Sequence, residues 1–258
     1  MLLSGLLSTP AWADPVLPDW TAATFGPGSD VSENRYYPLQ PGTLSIYEGM
    51  VDGTLERIET FVTFQTIDIL GVRSRVIRDR TYEDGLLVEV ARDWYAEDND
   101  GNVWYFGEFV INYNYDDDGN LIGTNNHGSW VADGITNLPG IIMPADPQVG
   151  DSYYQEFAPD VALDFAVVNS LDAIVNIDFG NFTDVLHTSE GNLFDGPEIV
   201  EHKLYALDIG LVLIQELDDA GEVAFEIPLI DRYMVPGPGS ASVIASLAML
   251  GSRRRIRR

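Results

Sequence analysis

The chain has 258 residues, of which 45% are hydrophobic, and a formal net charge of −27. This apolar content is sufficient for a folded core and argues against a chain that is disordered throughout. Five of the 14 basic residues are arginines in the last six positions, so the rest of the chain carries nine basic residues against 41 acidic ones, and that excess of negative charge disfavours binding to nucleic acid or anionic lipid. Cysteine is absent, which excludes disulfides, thiolate metal sites and cysteine nucleophiles.

The chain begins with the features of an export signal. Residues 2–7 (LLSGLL) form a short apolar run, and Ala11-Trp12-Ala13 follows with small residues at the two positions that a signal peptidase reads. We therefore predict a signal peptide over residues 1–13, with an upstream start supplying its positive segment. The alternative is a loose N-terminal tail. Residues 14–35 are rich in Pro, Gly, Asp and Ser and are predicted to be a linker.

The body after residue 35 is predicted to be all-β. Runs such as TLSIYEGMV, LLVEVARDWYA, NVWYFGEFVINYNY and LVLIQEL are rich in β-branched and aromatic residues. Turn signals separate them, among them Asp52-Gly53, Asp84-Gly85, Asp118-Gly119 and Asp133-Gly134. An antiparallel barrel or sandwich, a lipocalin-like meander, is the expected fold class.

A weak internal repeat suggests two tandem copies of one β unit. Three residue pairs match at offsets of 108, 109 and 110 positions: Pro41-Gly42 with Val149-Gly150, Gly71 with Gly180, and Tyr95-Ala96 with Tyr205-Ala206. The predicted units span 36–140 and 144–232. Closure of both into one barrel-like body would protect the sheet edges and place a binding site at the interface or the mouth. Coincidence between similar turn and strand patterns is the alternative.

Charged residues of two neighbouring strands are predicted to pair. In 86–96 the apolar side chains alternate with Glu89 and Asp93 on the opposite face. The cluster Arg73, Arg75, Arg78 and Arg80 precedes that run, so we expect its arginines to form cross-strand pairs with these acids. A site for an acidic glycan or phosphate is the alternative.

Two sets of residues are candidate metal ligands. The acidic turns that contain Asp98 and Asp100, and Asp116 and Asp118, offer oxygen ligands of the kind that Ca²⁺ prefers, although the EF-hand pattern is not met. Solvated hairpin turns are the alternative.

His187 and His202 flank a turn-rich segment and would form a three-ligand zinc site with Glu190 or Glu201 if their strands paired. The alternative is two surface histidines.

The aromatic residues of 94–115 are candidates for ligand binding. Trp94, Trp104, Tyr105 and Phe106 occur where both strand faces carry aromatic side chains. One face is therefore a candidate wall for an apolar ligand or a sugar, whereas ordinary core packing is the alternative. No nucleophile elbow or phosphate-binding loop occurs in the sequence, and no cofactor other than calcium is indicated.

The C-terminal residues carry a more specific pattern. Val235, Pro236 and Pro238 lead into the apolar run 241–251, and a cluster that includes Arg253, Arg254 and Arg255 ends the chain. This order resembles the PEP-CTERM sorting signal of bacterial envelope proteins. The resemblance implies transient anchoring of 235–258 in the inner membrane, processing by an exosortase-type enzyme, and a final location in the cell envelope or extracellular matrix.

The sequence leads to three hypotheses about function. The first is a non-enzymatic envelope or matrix protein that binds divalent cations or a matrix polysaccharide. The second is a lipocalin-like carrier of an apolar or aromatic small molecule. The third is a carbohydrate-active or metal-dependent hydrolase. The stretches 93–108 and 140–153 also resemble segments of uncharacterised secreted bacterial proteins, which implies export and a β fold but no activity.

Overall fold

The prediction of an all-β fold is confirmed by the structure, a computed structural model that describes residues 13–194 and 198–238. Within these residues every regular element is a strand. The strands are β1 (Thr43–Val51), β2 (Thr54–Ile69), β3 (Val72–Glu83), β4 (Leu86–Glu97), β5 (Val103–Tyr115), β6 (Leu121–Asn125), β7 (Trp130–Val131), β8 (Leu138–Met143), β9 (Ser152–Tyr154), β10 (Glu156–Phe157), β11 (Asp164–Ile177), β12 (Gly180–Asn192), β13 (Glu198–Ala206), β14 (Gly210–Leu217) and β15 (Val223–Met234). The described part of the chain contains no helix with the length and hydropathy needed to cross a membrane.

The predicted turns connect consecutive strands. Asp52 and Gly53 join β1 to β2 with φ angles of 51° and 87°, and Asp84 and Gly85 join β3 to β4 with φ angles of 46° and 84°. Positive φ at two successive residues is typical of the tight turn that matches the twist of a hairpin, and Asp-Gly adopts it at low cost. Local sequence therefore determines where each hairpin turns.

All fifteen strands belong to one antiparallel sheet. Strands β1 to β5 form one meander and β11 to β15 form another, and the two meet where β1 pairs with β15, with Ser45 opposite Arg232. At the far edges, the short segment 152–157 pairs through β9 with β11 and through β10 with β8. Because that segment bridges both edges, the sheet curls into a nearly closed barrel.

The matched residue pairs of the proposed repeat lie at corresponding places. One pair precedes β1 and β9, one lies at the β2–β3 and β11–β12 turns, and one ends β4 and β13. The pairing order β1–β2–β3–β4–β5 corresponds to β9–β11–β12–β13–β14. The duplication itself remains a prediction.

The segment 14–35, predicted to be a linker, lies against the barrel. Val16 forms a bridge with Tyr153, and the ring of Phe25 packs edge-on against Phe106 with a centroid distance of 5.7 Å. Asp30 forms an ion pair with Arg75, which is only 4% exposed. The N-terminal part of the described chain therefore belongs to the folded body.

The expected cross-strand pairing of the arginine cluster with Glu89 and Asp93 is wrong. Arg73 and Arg75 pair with Asp30, and Arg80 lies 4.0 Å from Glu59. Arg78 stacks over the ring of Phe61 at 5.4 Å. The register between β3 and β4 explains this result. Glu89 lies opposite Thr81, and Asp93 lies opposite Ile77, all on the inner face of the sheet. The arginines lie opposite other residues, Arg78 opposite Arg92 and Arg80 opposite Val90.

Candidate functional site

The interior of the barrel contains a cavity of about 370 Å³. Strands β1 to β5 and β13 to β15 contribute most of its wall, and residues 37–39 close part of it. Its charged lining residues are Asp79, Glu89, Asp93, Glu108, Glu201, Lys203 and Arg232. Tyr37, Tyr47, Tyr95 and Tyr205 supply its aromatic surface.

The strand period places the carboxylates in the wall. On β3, Ile77, Asp79 and Thr81 point to the inner face, and on β4 Glu89, Ala91 and Asp93 do the same, because alternate residues of a strand share a face. Asp93 lies opposite Glu108 in the register between β4 and β5. Three adjacent strands therefore bring four acidic side chains together inside the barrel.

Asp93 is held in place by an aromatic pair. The Tyr105 hydroxyl donates a hydrogen bond of 2.7 Å to Oδ1 of Asp93, and the Tyr105 ring stacks on Tyr95 with a centroid distance of 4.6 Å. The residue is only 4% exposed. Its second oxygen, Oδ2, has no hydrogen-bond partner among the described residues, and the same is true of Oδ1 of Asp79.

Burial favours the protonated form of these acids. It raises the pKa of Asp79 to about 6, and burial together with nearby Glu89 raises the pKa of Glu108 to about 8. The pKa of Asp93 is also raised well above its ordinary value by burial and by the charges of Asp79 and Glu108. Part of this cluster therefore carries protons near neutral pH.

Lys203, the only lysine in the chain, lies in the same interior. Its Nζ lies 2.9 Å from Oε2 of Glu190 and 2.9 Å from Oε1 of Glu201. Burial lowers its pKa, but the attraction of the two carboxylates outweighs that effect and holds the pKa well above the ordinary value. Lys203 is therefore a fixed cation and not a neutral amine nucleophile.

A second carboxyl pair lies where the barrel closes. The Trp130 Nε1 donates a hydrogen bond of 2.6 Å to Oε2 of Glu156, and Glu156 is hydrogen-bonded to Asp164. Burial and the Asp164 charge raise the pKa of Glu156 well above its usual range, and burial raises the pKa of Asp164 to about 6. Burial therefore favours the protonated form of both groups.

The four aromatic residues singled out from the sequence do not line the cavity. Trp104, Tyr105 and Phe106 are at most 3% exposed and pack in the core, and Trp94 packs against them. Only Tyr105 is connected to the cavity wall, through its hydroxyl on Asp93. The tyrosines that do line the cavity include Tyr37 and Tyr205, which the sequence analysis did not select.

The acidic turns hold their own backbone. Asp98 accepts hydrogen bonds from the amides of Asp100 and Asn102 and from the Trp104 indole. Asp116 does the same for the amides of Asp118 and Asn120. In residues 13–194 and 198–238 no three His, Asp or Glu side chains are grouped so that they could hold a metal ion. Calcium binding remains a prediction.

The structure brings His187 and His202 together on the outer face of the sheet. Their rings meet edge to face with a centroid distance of 4.6 Å, and Ser189 Oγ lies 3.0 Å from Nδ1 of His202. Burial and the neighbouring His202 lower the pKa of His187 to about 4. Glu190 and Glu201, the expected third ligands, point into the barrel and bind Lys203 instead.

The structure describes only some of the residues of the predicted sorting signal. Val235, Pro236 and Pro238 follow β15, and the Val235 amide donates a hydrogen bond of 2.7 Å to the carbonyl of Gly42. The apolar run 241–251 and Arg253, Arg254 and Arg255 lie outside the described residues, as do residues 1–12 of the predicted signal peptide.

Comparison with known proteins identifies no family. No family model matches the chain, and no curated protein matches it. Two solved structures each correspond to 78% of this chain and 99% of their own: a "putative lipoprotein" from Parabacteroides distasonis (11% identity, TM-score 0.40) and a "putative exported protein with YmcC-like fold" from Bacteroides fragilis (16% identity, TM-score 0.37). At these values neither similarity indicates a function.

Proposed function

We propose that this chain is an exported, non-enzymatic protein whose barrel binds a small molecule in its interior cavity. The observation that carries the proposal is a cavity of about 370 Å³ that contains buried carboxylate oxygens without partners. Buried polar atoms are nearly always hydrogen-bonded in native proteins, because leaving one unpaired costs about 1–3 kcal/mol. Unpaired atoms at the wall of a cavity are therefore the groups expected to hold a ligand.

The size and shape of the interior support a carrier function. Pockets for small molecules generally enclose about 300–1,000 Å³, so this cavity falls within that range at its lower end. Barrels of moderate strand number often leave room for one ligand inside. Compared with a lipocalin-like carrier of apolar compounds, the ligand here must be more polar, because charged side chains occupy much of the wall.

Export to the cell envelope is the second part of the proposal. It is supported by the small-residue cleavage pattern at Ala11 and Ala13 and by the resemblance of 235–258 to a sorting signal. The strongly acidic composition keeps such a protein soluble in a salty medium, where counterions screen its self-repulsion.

Native mass spectrometry of the full chain, purified without chelator, tests the binding function. We expect a bound organic compound of a few hundred daltons or less, and a higher melting temperature when it is added back. Ala91 is 5% exposed and lines the cavity, so Ala91→Leu should fill part of the space and reduce binding at least tenfold.

Ala224→Leu is the matched control, since Ala224 is exposed on β15 and the added side chain meets solvent. This variant should bind as the wild type does. A wild-type chain that carries no compound and whose melting temperature responds to no small molecule in a broad library would refute the binding function.

A further inference from the structure

We propose that the ligand is a small organic ammonium ion, held by hydrogen bonds from its N–H groups to Asp79 and Asp93. The inference rests on the proposed binding function and adds the chemical class of the ligand. The free acceptors, the charge of the wall and its aromatic surface support it independently.

The free acceptors are the most specific argument. Asp93 Oδ2 and Asp79 Oδ1 are buried and have no hydrogen-bond partner among the described residues, although the other oxygen of Asp93 accepts a bond from Tyr105. Asp93 is only 4% exposed, so solvent cannot satisfy this oxygen freely. A ligand with two N–H groups can donate one hydrogen bond to Asp79 on β3 and one to Asp93 on β4.

The charge balance favours a cation over a neutral donor. Asp79, Glu89, Asp93 and Glu108 line the cavity, and none of them forms an ion pair with a described Lys, Arg or His. Lys203 is engaged by two other carboxylates, Glu190 and Glu201. A buried carboxylate is stabilised by an opposite charge within about 4–6 Å, which an ammonium ligand would supply.

Arg232 lies on another part of the wall. It is opposite Ser45, and β2 separates that position on β1 from β3, which carries Asp79. Its Nε has no described hydrogen-bond partner, so it offers a donor to an oxygen at the far end of the ligand. An ammonium group at the acids and a hydrogen-bond acceptor at Arg232 would satisfy both sides of the cavity.

The aromatic surface also suits an ammonium ion. Tyr37 and Tyr95 both line the cavity, and their rings meet edge to face with a centroid distance of 5.5 Å. Tyrosine faces attract cations, with gains of about 0.5–2 kcal/mol that are largest in desolvated sites. The carboxylates and rings therefore select the same chemical group.

Binding should release protons. Burial keeps part of the acid cluster protonated in the free protein, and a cation favours the ionised form. The titratable and charged groups that face this site are Asp79 on β3, Glu89, Asp93 and Tyr95 on β4, Tyr105 and Glu108 on β5, Glu201, Lys203 and Tyr205 on β13, Arg232 on β15, and Tyr37 and Tyr47 on the remaining wall. Affinity for an ammonium ion should therefore increase from mildly acidic to mildly alkaline pH.

Isothermal titration calorimetry with the full chain provides the test. The probes are three ammonium salts, butylammonium, benzylammonium and putrescine, each with its matched alcohol: butanol, benzyl alcohol and butanediol. We expect at least one ammonium compound to bind at least tenfold more tightly than its alcohol. Titration in two buffers of different ionisation enthalpy should show proton release on binding.

Asp93→Asn and Asp172→Asn locate the site. Asp93→Asn keeps the Tyr105 hydrogen bond but removes the charge, so it should weaken ammonium binding at least tenfold and abolish most of the proton release. Asp172→Asn makes the same change at an exposed position of β11 and should leave the ammonium affinity and the proton release unchanged. Circular dichroism verifies that the variants are folded.

Four results would overturn the inference. Equal binding of the alcohols, or of Asp93→Asn and wild type, would show that no ammonium ion is held at Asp93, while leaving the proposed binding function intact. If every ammonium probe failed to bind and native mass spectrometry found a neutral or anionic compound, the ligand class would be refuted and the proposed binding function would remain. Failure of every probe, with no compound found and no response of the melting temperature to the broad library, would refute the binding function as well.

Discussion

The Nζ atom of Lys203 lies 2.9 Å from Oε2 of Glu190 inside the barrel, and Glu190 is only 4% exposed. Glu190 also accepts hydrogen bonds from the hydroxyls of Thr188 and Tyr205, at 2.7 and 3.3 Å. The single lysine of a strongly acidic chain thus neutralises two interior carboxylates, and this arrangement connects β12 to β13 from within.

Removal of Lys203 should destabilise the fold. Lys203→Met leaves Glu190 buried without its cation, which typically costs about 3–5 kcal/mol. We expect the midpoint of urea denaturation to fall accordingly, and the double variant Lys203→Met/Glu190→Gln to recover part of the loss. Arg57→Met is the control, because Arg57 also contacts two carboxylates but these, on Glu48 and Glu59, are 33% and 23% exposed, so its removal should cost less than about 1 kcal/mol. Equal losses in both variants would contradict the interior role of Lys203.

Stability should decrease as pH rises above mildly acidic values. An acid whose pKa is higher in the folded state than in the unfolded state stabilises the fold at low pH, and that contribution is lost as pH increases to the folded pKa. Asp79, Asp164 and Glu108 have pKa values raised to about 6, about 6 and about 8 by burial, so the loss should extend from about pH 4 to about pH 8. Chemical denaturation across this range should show that the free energy of unfolding decreases by about 3 kcal/mol or more. A flat profile would contradict the burial of these acids.

Glu108→Gln should stabilise the protein at alkaline pH. The amide cannot ionise, so the variant avoids the cost of a buried charge beside Glu89 and Asp93. We expect a gain of about 1–2 kcal/mol above pH 8 and little change near pH 5. Asp172→Asn removes one negative charge from the exterior and reports the effect of overall repulsion alone. A similar gain in that control would attribute the effect to net charge.

His187 should lower stability at acidic pH and so oppose the effect of the buried acids. Burial lowers the pKa of His187 to about 4, so protonation is disfavoured in the folded state, and the contribution that this residue makes to stability above about pH 6.5 is lost as pH falls toward 4. His187→Gln should remove this loss and raise stability near pH 4 by about 1–2 kcal/mol, without altering stability at alkaline pH. His127→Gln is the control, because His127 is exposed in a loop. A pH titration followed by nuclear magnetic resonance would measure the pKa values of His187 and His127 directly.

Arg75 should anchor the N-terminal segment to the barrel. Its guanidinium pairs with Asp30 and donates hydrogen bonds to the carbonyls of Asp30 and Thr63. Arg75→Met leaves Asp30 with only the exposed Arg73 as a cationic partner, so it should cost about 3–5 kcal/mol and expose residues 14–35 to protease. Arg73 is the other partner of Asp30, and its side chain is 57% exposed. Arg73→Met should therefore cost less than about 1 kcal/mol. Protection of that segment in Arg75→Met would show that its other contacts with the barrel are sufficient to hold it.

Local sequence was sufficient to predict the strands and the turns. Asp-Gly turns and alternating β-branched or aromatic runs act over a few residues, and the predicted run 43–51 coincides with β1. Export, sorting and the internal duplication remain predictions from the sequence, and part of the first two lies outside the described residues.

The candidate site could be predicted only in part. Alternation shows that Glu89 and Asp93 share one strand face, but it does not show which face is inside, because both faces of β4 meet other side chains. The sequence favoured aromatic residues as the cavity wall, yet Trp104 and Phe106 form the core. The single lysine, Lys203, was not interpreted from the sequence, and only the structure shows that it lies in the interior charge network.

What the sequence determined by itself was the acidic composition, the fold class, and the place of several strands and turns, the last of which depend on residues close together in the chain. The tertiary structure decided the rest. Pairing of β1 with β15 and of the segment 152–157 with both sheet edges closes the barrel. Closure selects the acid-bearing face as the inner one and encloses the cross-strand contact between Glu190 on β12 and Lys203 on β13, because only a closed sheet gives a strand an interior from which water is excluded.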